Sequence, residues 1–173
     1  MIYKKFVVLG LIALSVNMYG ADSIAKNNTQ KDIVTAQKTI SEFADNGGAN
    51  LWDGVPNLND NKNWKLYSKT FKSIRENKAE NYPKRCLPLF KDLQKYYANY
   101  EKEGLETLIR ELNLDGQGPR VPVIKNGKID MKETIAKEVY TGPTNLILSS
   151  RIGVLRKKAN KLDACSNAPR SKM

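Results

Sequence analysis

Hydrophobic positions recur at helical spacing over most of the chain. Ile33, Ala36, Ile40 and Phe43 fall three and four residues apart, which places them on one helical face. Thr29 with Asp32 reads as the start of that helix, and Asn46-Gly47-Gly48 as its end, so a first helix is predicted over 30–45. Trp64, Tyr67, Phe71 and Ile74 repeat the pattern and predict a second helix over 63–78. A third, over 87–102, carries Phe90, Leu93, Tyr97 and Tyr100. Gly104 is read as an interruption, after which Leu105, Leu108, Ile109 and Leu112 form a short fourth helix.

The pattern changes once. Val121-Pro122-Val123-Ile124-Lys125, then Asn126-Gly127, then Lys128-Ile129-Asp130 predicts a β-hairpin around residues 121–130, because Asn-Gly supplies the two positive φ angles of a tight turn. Two strands make no stable sheet alone, so the hairpin must lean on helices. Asp130 with Glu133 caps a further helix carrying Ile135, Ala136 and Val139, which Thr141-Gly142-Pro143 ends. The last helix has the cleanest seam: Leu148, Ile152, Leu155, Ala159 and Leu162. Residues 49–61 read as a loop, but Leu51, Trp52, Val55 and Leu58 give it enough apolar content to fold back onto the core. The expected fold class is mainly α: a single-domain bundle of five or six helices with one small β-hairpin.

The amino-terminal pattern is of another kind. Lys4 and Lys5 precede an uncharged, mostly apolar run of eleven residues from Phe6 to Val16, and Tyr19, Gly20 and Ala21 follow. A basic, apolar, small-residue order is that of a secretion signal, and the run is too short to span a hydrocarbon core, which takes about 20 apolar residues. The expected organisation is a cleaved signal over 1–21, cut after Gly20 or Ala21, a helical domain over 22–166 and a frayed tail over 167–173. No later stretch is apolar enough for a transmembrane segment. The product is expected to be periplasmic or secreted.

Export changes how the two cysteines are read. In an oxidising compartment an even pair, Cys86 and Cys165, is expected to form one disulfide. Their wide separation, without a Cys-x-x-Cys spacing, makes the bridge structural. The chain has no His, which removes Ser-His and Cys-His nucleophile pairs, His-ligated zinc and imidazole acid–base chemistry. The Gly-rich stretch Asp115 to Pro119 lacks the Lys-Ser/Thr ending of a phosphate-binding loop. No catalytic residue, cofactor or metal is assigned.

Charge is lopsided. Loss of Lys4 and Lys5 takes the net charge from +11 to +9. Residues 22–116 hold 15 basic and 14 acidic side chains, whereas residues 117–173 hold 12 and 4. Arg151, Arg156, Lys157, Lys158 and Lys161 are read as a basic binding face, joined by Arg170 and Lys172 in the tail. Trp52, Tyr96, Tyr97 and Tyr100 are candidates for aromatic recognition, the tyrosines alternatively being core. The leading expectation is a non-enzymatic binding protein acting on an acidic protein, as an inhibitor of a periplasmic toxin or as an accessory subunit of a secretion or surface apparatus. Another anionic envelope component or, unspecifically, nucleic acid is the wider alternative. A cell-wall glycan hydrolase built on paired carboxylates among Glu76, Glu80, Glu101, Glu103, Glu106 and Glu111 is the catalytic alternative.

Overall fold

The third helical stripe organises the fold. In the computed structural model, which describes residues 13–48, 62–116 and 118–169 (side chains from residue 28 and, in the second helix, from residue 66), the elements are α1 (Ala13–Asp45), α2 (Lys62–Arg75), α3 (Leu87–Leu112), β1 (Ile124–Lys125), β2 (Lys128–Ile129), α4 (Met131–Thr141) and α5 (Pro143–Asn167). Two single 3-10 turns, Ala79–Asn81 and Lys84–Cys86, lead from α2 into α3. Helix α3 packs against all four other helices. Its Phe90, Leu93, Tyr97, Tyr100 and Leu108 meet Ile40 and Phe43 of α1, Phe71 of α2, Ile135 and Val139 of α4, and Leu148, Leu155 and Leu162 of α5 in one buried cluster. Removing a side chain of this size from water contributes about 1.5–3 kcal/mol. Among the described residues the protein is a mainly α bundle of five helices with one small antiparallel hairpin, as its periodicity predicts. Among the described residues no helix is long and apolar enough to cross a membrane.

Besides α2, which ends at Arg75 rather than at residue 78 as the chain turns through Asn77 in left-handed geometry (φ 54°), two boundaries differ from expectation. Helix α1 already includes Ala13, the first described residue, so Thr29 lies inside the helix rather than capping it. A Thr-x-x-Asp signal marks a start only where the preceding residues leave helical geometry. Residues 13–28 contain no proline and hold Ala21 and Ala25, so nothing obliges the chain to do so. The second correction is at Gly104. It is buried inside an unbroken α3 rather than separating two helices. A Cβ there would lie 2.6 Å from Leu148 Cδ2 and 3.7 Å from Ile40 Cδ1, so this glycine lets α5 approach α3 instead of ending it. Beyond Leu112 the chain turns through Asn113 in left-handed geometry (φ 52°), and Leu114 N donates to Ile109 O at 3.1 Å, a helix stop of the kind Asn tolerates.

The hairpin forms where the Asn-Gly pair places it. Ile124 pairs with Ile129 and Lys125 with Lys128, across Asn126 (φ 50°) and Gly127 (φ 71°). It is fastened to α4 at its base: Val123 N donates to Thr134 Oγ1 at 2.8 Å, and Asp130 N donates to Val123 O at 2.9 Å. The same Asp130 caps α4, its Oδ1 accepting from Glu133 N at 3.0 Å. The amino-terminal residues 1–12, the loop 49–61 with Trp52, and Arg170 and Lys172 lie outside the described residues.

Candidate binding surface

Helix α5 carries the residues expected to form a basic face, and its geometry sorts them. At 3.6 residues per turn, Leu148, Ile152, Leu155, Ala159 and Leu162 form one seam, and all five are buried. The cations fall on three different sectors around that seam.

On the flank facing α3, Arg151 Nε lies 3.4 Å from Glu103 Oε2, and Lys158 Nζ donates to Asp92 Oδ2 at 2.5 Å. The Lys158 ammonium also sits 5.2 Å from the centroid of the Tyr96 ring, within cation–π range. On the opposite flank the Arg156 guanidinium covers the Tyr67 ring of α2 at 5.6 Å. Three of the five expected face residues therefore join α5 to its neighbours. Lys157 and Lys161 are different. They project from the outer side of α5, exposed, and enter no ion pair among the described residues.

The outer strip also holds Leu146 and Val154, 71% and 39% exposed, and Gly153, around which a Cβ would meet nothing within 4 Å. Helix α5 contributes no acid to it, since Asp163, the helix's single carboxylate, lines a groove against Leu66, Thr70 and Tyr82 on another side; at the α3 edge Val154 lines a groove with Glu103 and Glu106. The strip is thus cationic and part apolar along a helix anchored at its far end. There Cys86 and Cys165 form a disulfide (S–S 2.04 Å, Cα–Cα 5.9 Å), and Arg85 Nη2 donates to Cys165 O at 3.2 Å and to Ala168 O at 2.5 Å. A cation on the last carbonyls of a helix suits its negative end.

The aromatic candidates divide likewise. Tyr97 and Tyr100 are buried, 3% and 2% exposed, and offer no ring face to a partner. Their role is in the core, where Tyr97 stacks on Phe71 with centroids 5.9 Å apart. Tyr96 is half-buried beneath Lys158.

Among the carboxylates, Glu76 pairs with Lys72 and Lys78, Glu103 with Arg151, Glu106 with Lys102, and Glu111 with Arg110 and Arg120. These four serve neighbouring cations; Glu103 and Glu106, both on α3, line one groove together with Arg110 and Arg151. Glu101 stands apart. Its Oε1 accepts from Tyr97 OH at 2.7 Å and from Ser41 Oγ of α1 at 3.0 Å. Burial, with the Glu101 charge beside it, raises the pKa of Tyr97 far above the ordinary phenol value, so its hydroxyl stays a donor. Glu101 lines a cavity of about 460 Å³ between α1 and α3 that also meets Ser41 and Arg75. The sequence reading names Glu101 only as one of six candidate hydrolase carboxylates and does not single it out. The available signal was its position four residues after Tyr97, on the edge of the apolar stripe.

No protein-family model matches the chain, and neither a curated protein nor a solved structure does.

Proposed function

We propose that this protein is an exported helical binding protein that docks an acidic protein partner along the outer strip of α5. One observation carries the reading: Lys157 and Lys161 share with Leu146 and Val154 an exposed strip to which α5 contributes no carboxylate, whereas the other cations of the helix meet groups inside the molecule. Interfaces combine apolar contact area with charges that orient the partner, and this strip offers both. Export is supported by the basic, apolar and small-residue order of residues 1–21 and by the Cys86–Cys165 pair at bonding geometry.

Affinity purification from envelope extract tests the docking reading. Lys157→Glu with Lys161→Glu is expected to abolish recovery of the partner, while Arg151→Glu, on the α3 flank, weakens it less. Recovery of the same proteins by the native and doubly reversed forms overturns it. Mass determination of the mature chain tests export separately, with an amino terminus at Ala21 or Asp22 as the expected result.

A further inference from the structure

The cavity between α1 and α3 has a charge arrangement that the docking surface does not use. Its walls are apolar at Ile40, Ala98 and Leu105 and polar at Gln37, Ser41, Arg75, Glu101 and Lys102, the last with its Nζ 3.7 Å from Glu106 Oε1. Both hydrogen bonds to Glu101 come from neutral hydroxyls and both end on Oε1. Among the described residues no side chain forms an ion pair with Glu101 or donates to its Oε2. Arg75 is placed comparably: Nη1 pairs with Asp45 Oδ2, while Nη2 and Nε donate to no acceptor among the described residues. Burial works against the Arg75 charge, but the hydrogen bond and charge of Asp45 outweigh it and hold the guanidinium protonated.

One cavity thus presents a carboxylate oxygen with acceptor capacity left and a guanidinium with donors left. A simple cation entering it meets Glu101 but is opposed by Arg75. A simple anion meets Arg75 but is opposed by Glu101 and by Asp45, which already pairs with Arg75, while the Lys102 ammonium is engaged by Glu106. A molecule bearing both signs on adjacent atoms is favoured by each. From this we infer that the cavity binds a free α-amino acid with an apolar side chain. The ammonium is taken by Glu101 Oε2, the carboxylate by the remaining Arg75 N–H groups, and the side chain by Ile40, Ala98 and Leu105. Arg suits the carboxylate end because its planar fork can donate twice to it. The volume, about 460 Å³, lies low in the range of roughly 300–1,000 Å³ of small-molecule sites, as a single amino acid requires.

The roles of Ser41 and Tyr97 follow. They occupy Oε1 and so fix the Glu101 carboxylate with Oε2 open, which makes them positioning residues.

The test uses the full chain with its disulfide intact and a probe set of L-leucine, L-isoleucine, L-methionine and L-phenylalanine, read by thermal shift and titration calorimetry. At least one is expected to raise Tm saturably with Kd below about 1 mM. N-acetylation removes the ammonium and amidation removes the carboxylate. Each is expected to weaken that ligand at least tenfold, as loss of one charge-assisted hydrogen bond does. Glu101→Gln retains an oxygen for Ser41 and Tyr97 and is expected to keep the unliganded Tm while weakening binding tenfold or more. Should that variant fail to fold, Leu105→Trp fills the cavity from its apolar wall, leaves the charge pair in place and is expected to abolish binding. No saturable binding by any of the four, binding of the acetylated or the amidated form as tight as that of the free amino acid, or unchanged affinity in a folded Glu101→Gln or Leu105→Trp protein each overturns the assignment.

Discussion

The two sides of α5 carry the same residue types and use them differently. Toward α3, Arg151 meets Glu103, and Lys158 meets both Asp92 and the Tyr96 ring. On the outer side Lys157 and Lys161 stand one turn apart with no α5 carboxylate on their strip. Like charges at i and i+4 repel by a few tenths of a kcal/mol in an isolated helix. The outer pair therefore opposes folding slightly, while the inner cations assist it slightly. Composition cannot separate the two, because all of these residues count equally towards net charge. Position relative to the apolar seam does, and it identifies the charges that folding does not use.

The packed side breaks most severely at its staple. Cys86 and Cys165 are 79 residues apart in sequence, and closing a loop of that length restricts the unfolded chain by about 4 kcal/mol in the chain-entropy model. Cys165→Ser with Cys86→Ser is expected to lower unfolding free energy by about that amount, read from urea titration, with no further loss on adding reductant. A drop below about 1 kcal/mol would show that the α3–α5 contact holds without the bridge.

Two glycines sharpen the comparison, because one substitution should act with opposite sign on the two sides. Gly104→Ala places a methyl 2.6 Å from Leu148 Cδ2 in a fully buried contact. Overpacking of this kind costs about 1–3 kcal/mol, which outweighs any helix-propensity gain. Gly153→Ala meets nothing within 4 Å and gains only the propensity difference, about 0.5–1 kcal/mol of stabilisation. Denaturation midpoints of the two variants on opposite sides of the native value are the expected result. Destabilisation by both would mean that the outer strip is already covered in the folded protein.

An alkaline pH dependence should come from the packed interior and not from the outer strip of α5. The Tyr97 pKa is raised by burial and by Glu101, so the folded state favours the neutral phenol. A group whose folded pKa lies above its unfolded value, near 10 for tyrosine, contributes stability that is complete below that pH and falls away as pH rises past it. Unfolding free energy should drop above about pH 10, and Tyr97→Phe should reduce the slope while Lys157→Ala leaves it unchanged. Identical slopes for Tyr97→Phe and the native chain would place the alkaline transition elsewhere.

What was legible in the sequence depended on how local its cause is. The α5 seam follows from spacing alone, and Leu148, Ile152, Leu155, Ala159 and Leu162 are buried as read. Asn126-Gly127 fixes its turn through two positive φ angles, and Asp130 caps through its own carboxylate. Each cause lies within a few residues of its effect. Gly104 could not be read this way, because what it permits is an approach by Leu148 from another helix. The division of the basic residues was hidden for the same reason. Arg156 is tied to a ring on α2 and Lys158 to an acid on α3, pairings that spacing within α5 does not specify. The Glu101 cavity needs α1, α2 and α3 together. No window of the sequence contains it.

The smallest expected effects test the comparison most directly. Lys158 and Lys157 are neighbours in sequence and chemically identical, so context alone separates them. The Lys158 side chain is 26% exposed and its partner Asp92 59% exposed, which puts the ion pair in the range of about 0–1 kcal/mol for surface bridges. The Tyr96 contact adds about 0.5 kcal/mol at a partly exposed site. Lys158→Ala is therefore expected to lower stability by about 0.5–1.5 kcal/mol, partly recovered at high salt because the native pair weakens there. Lys157→Ala, relieved of its like-charged neighbour, should change stability by less than about 0.5 kcal/mol and need not destabilise at all. Partner recovery should reverse the order, falling for Lys157→Ala and holding for Lys158→Ala. Parallel losses in both assays would erase the distinction between the two sides, since one surface would then serve folding and docking alike.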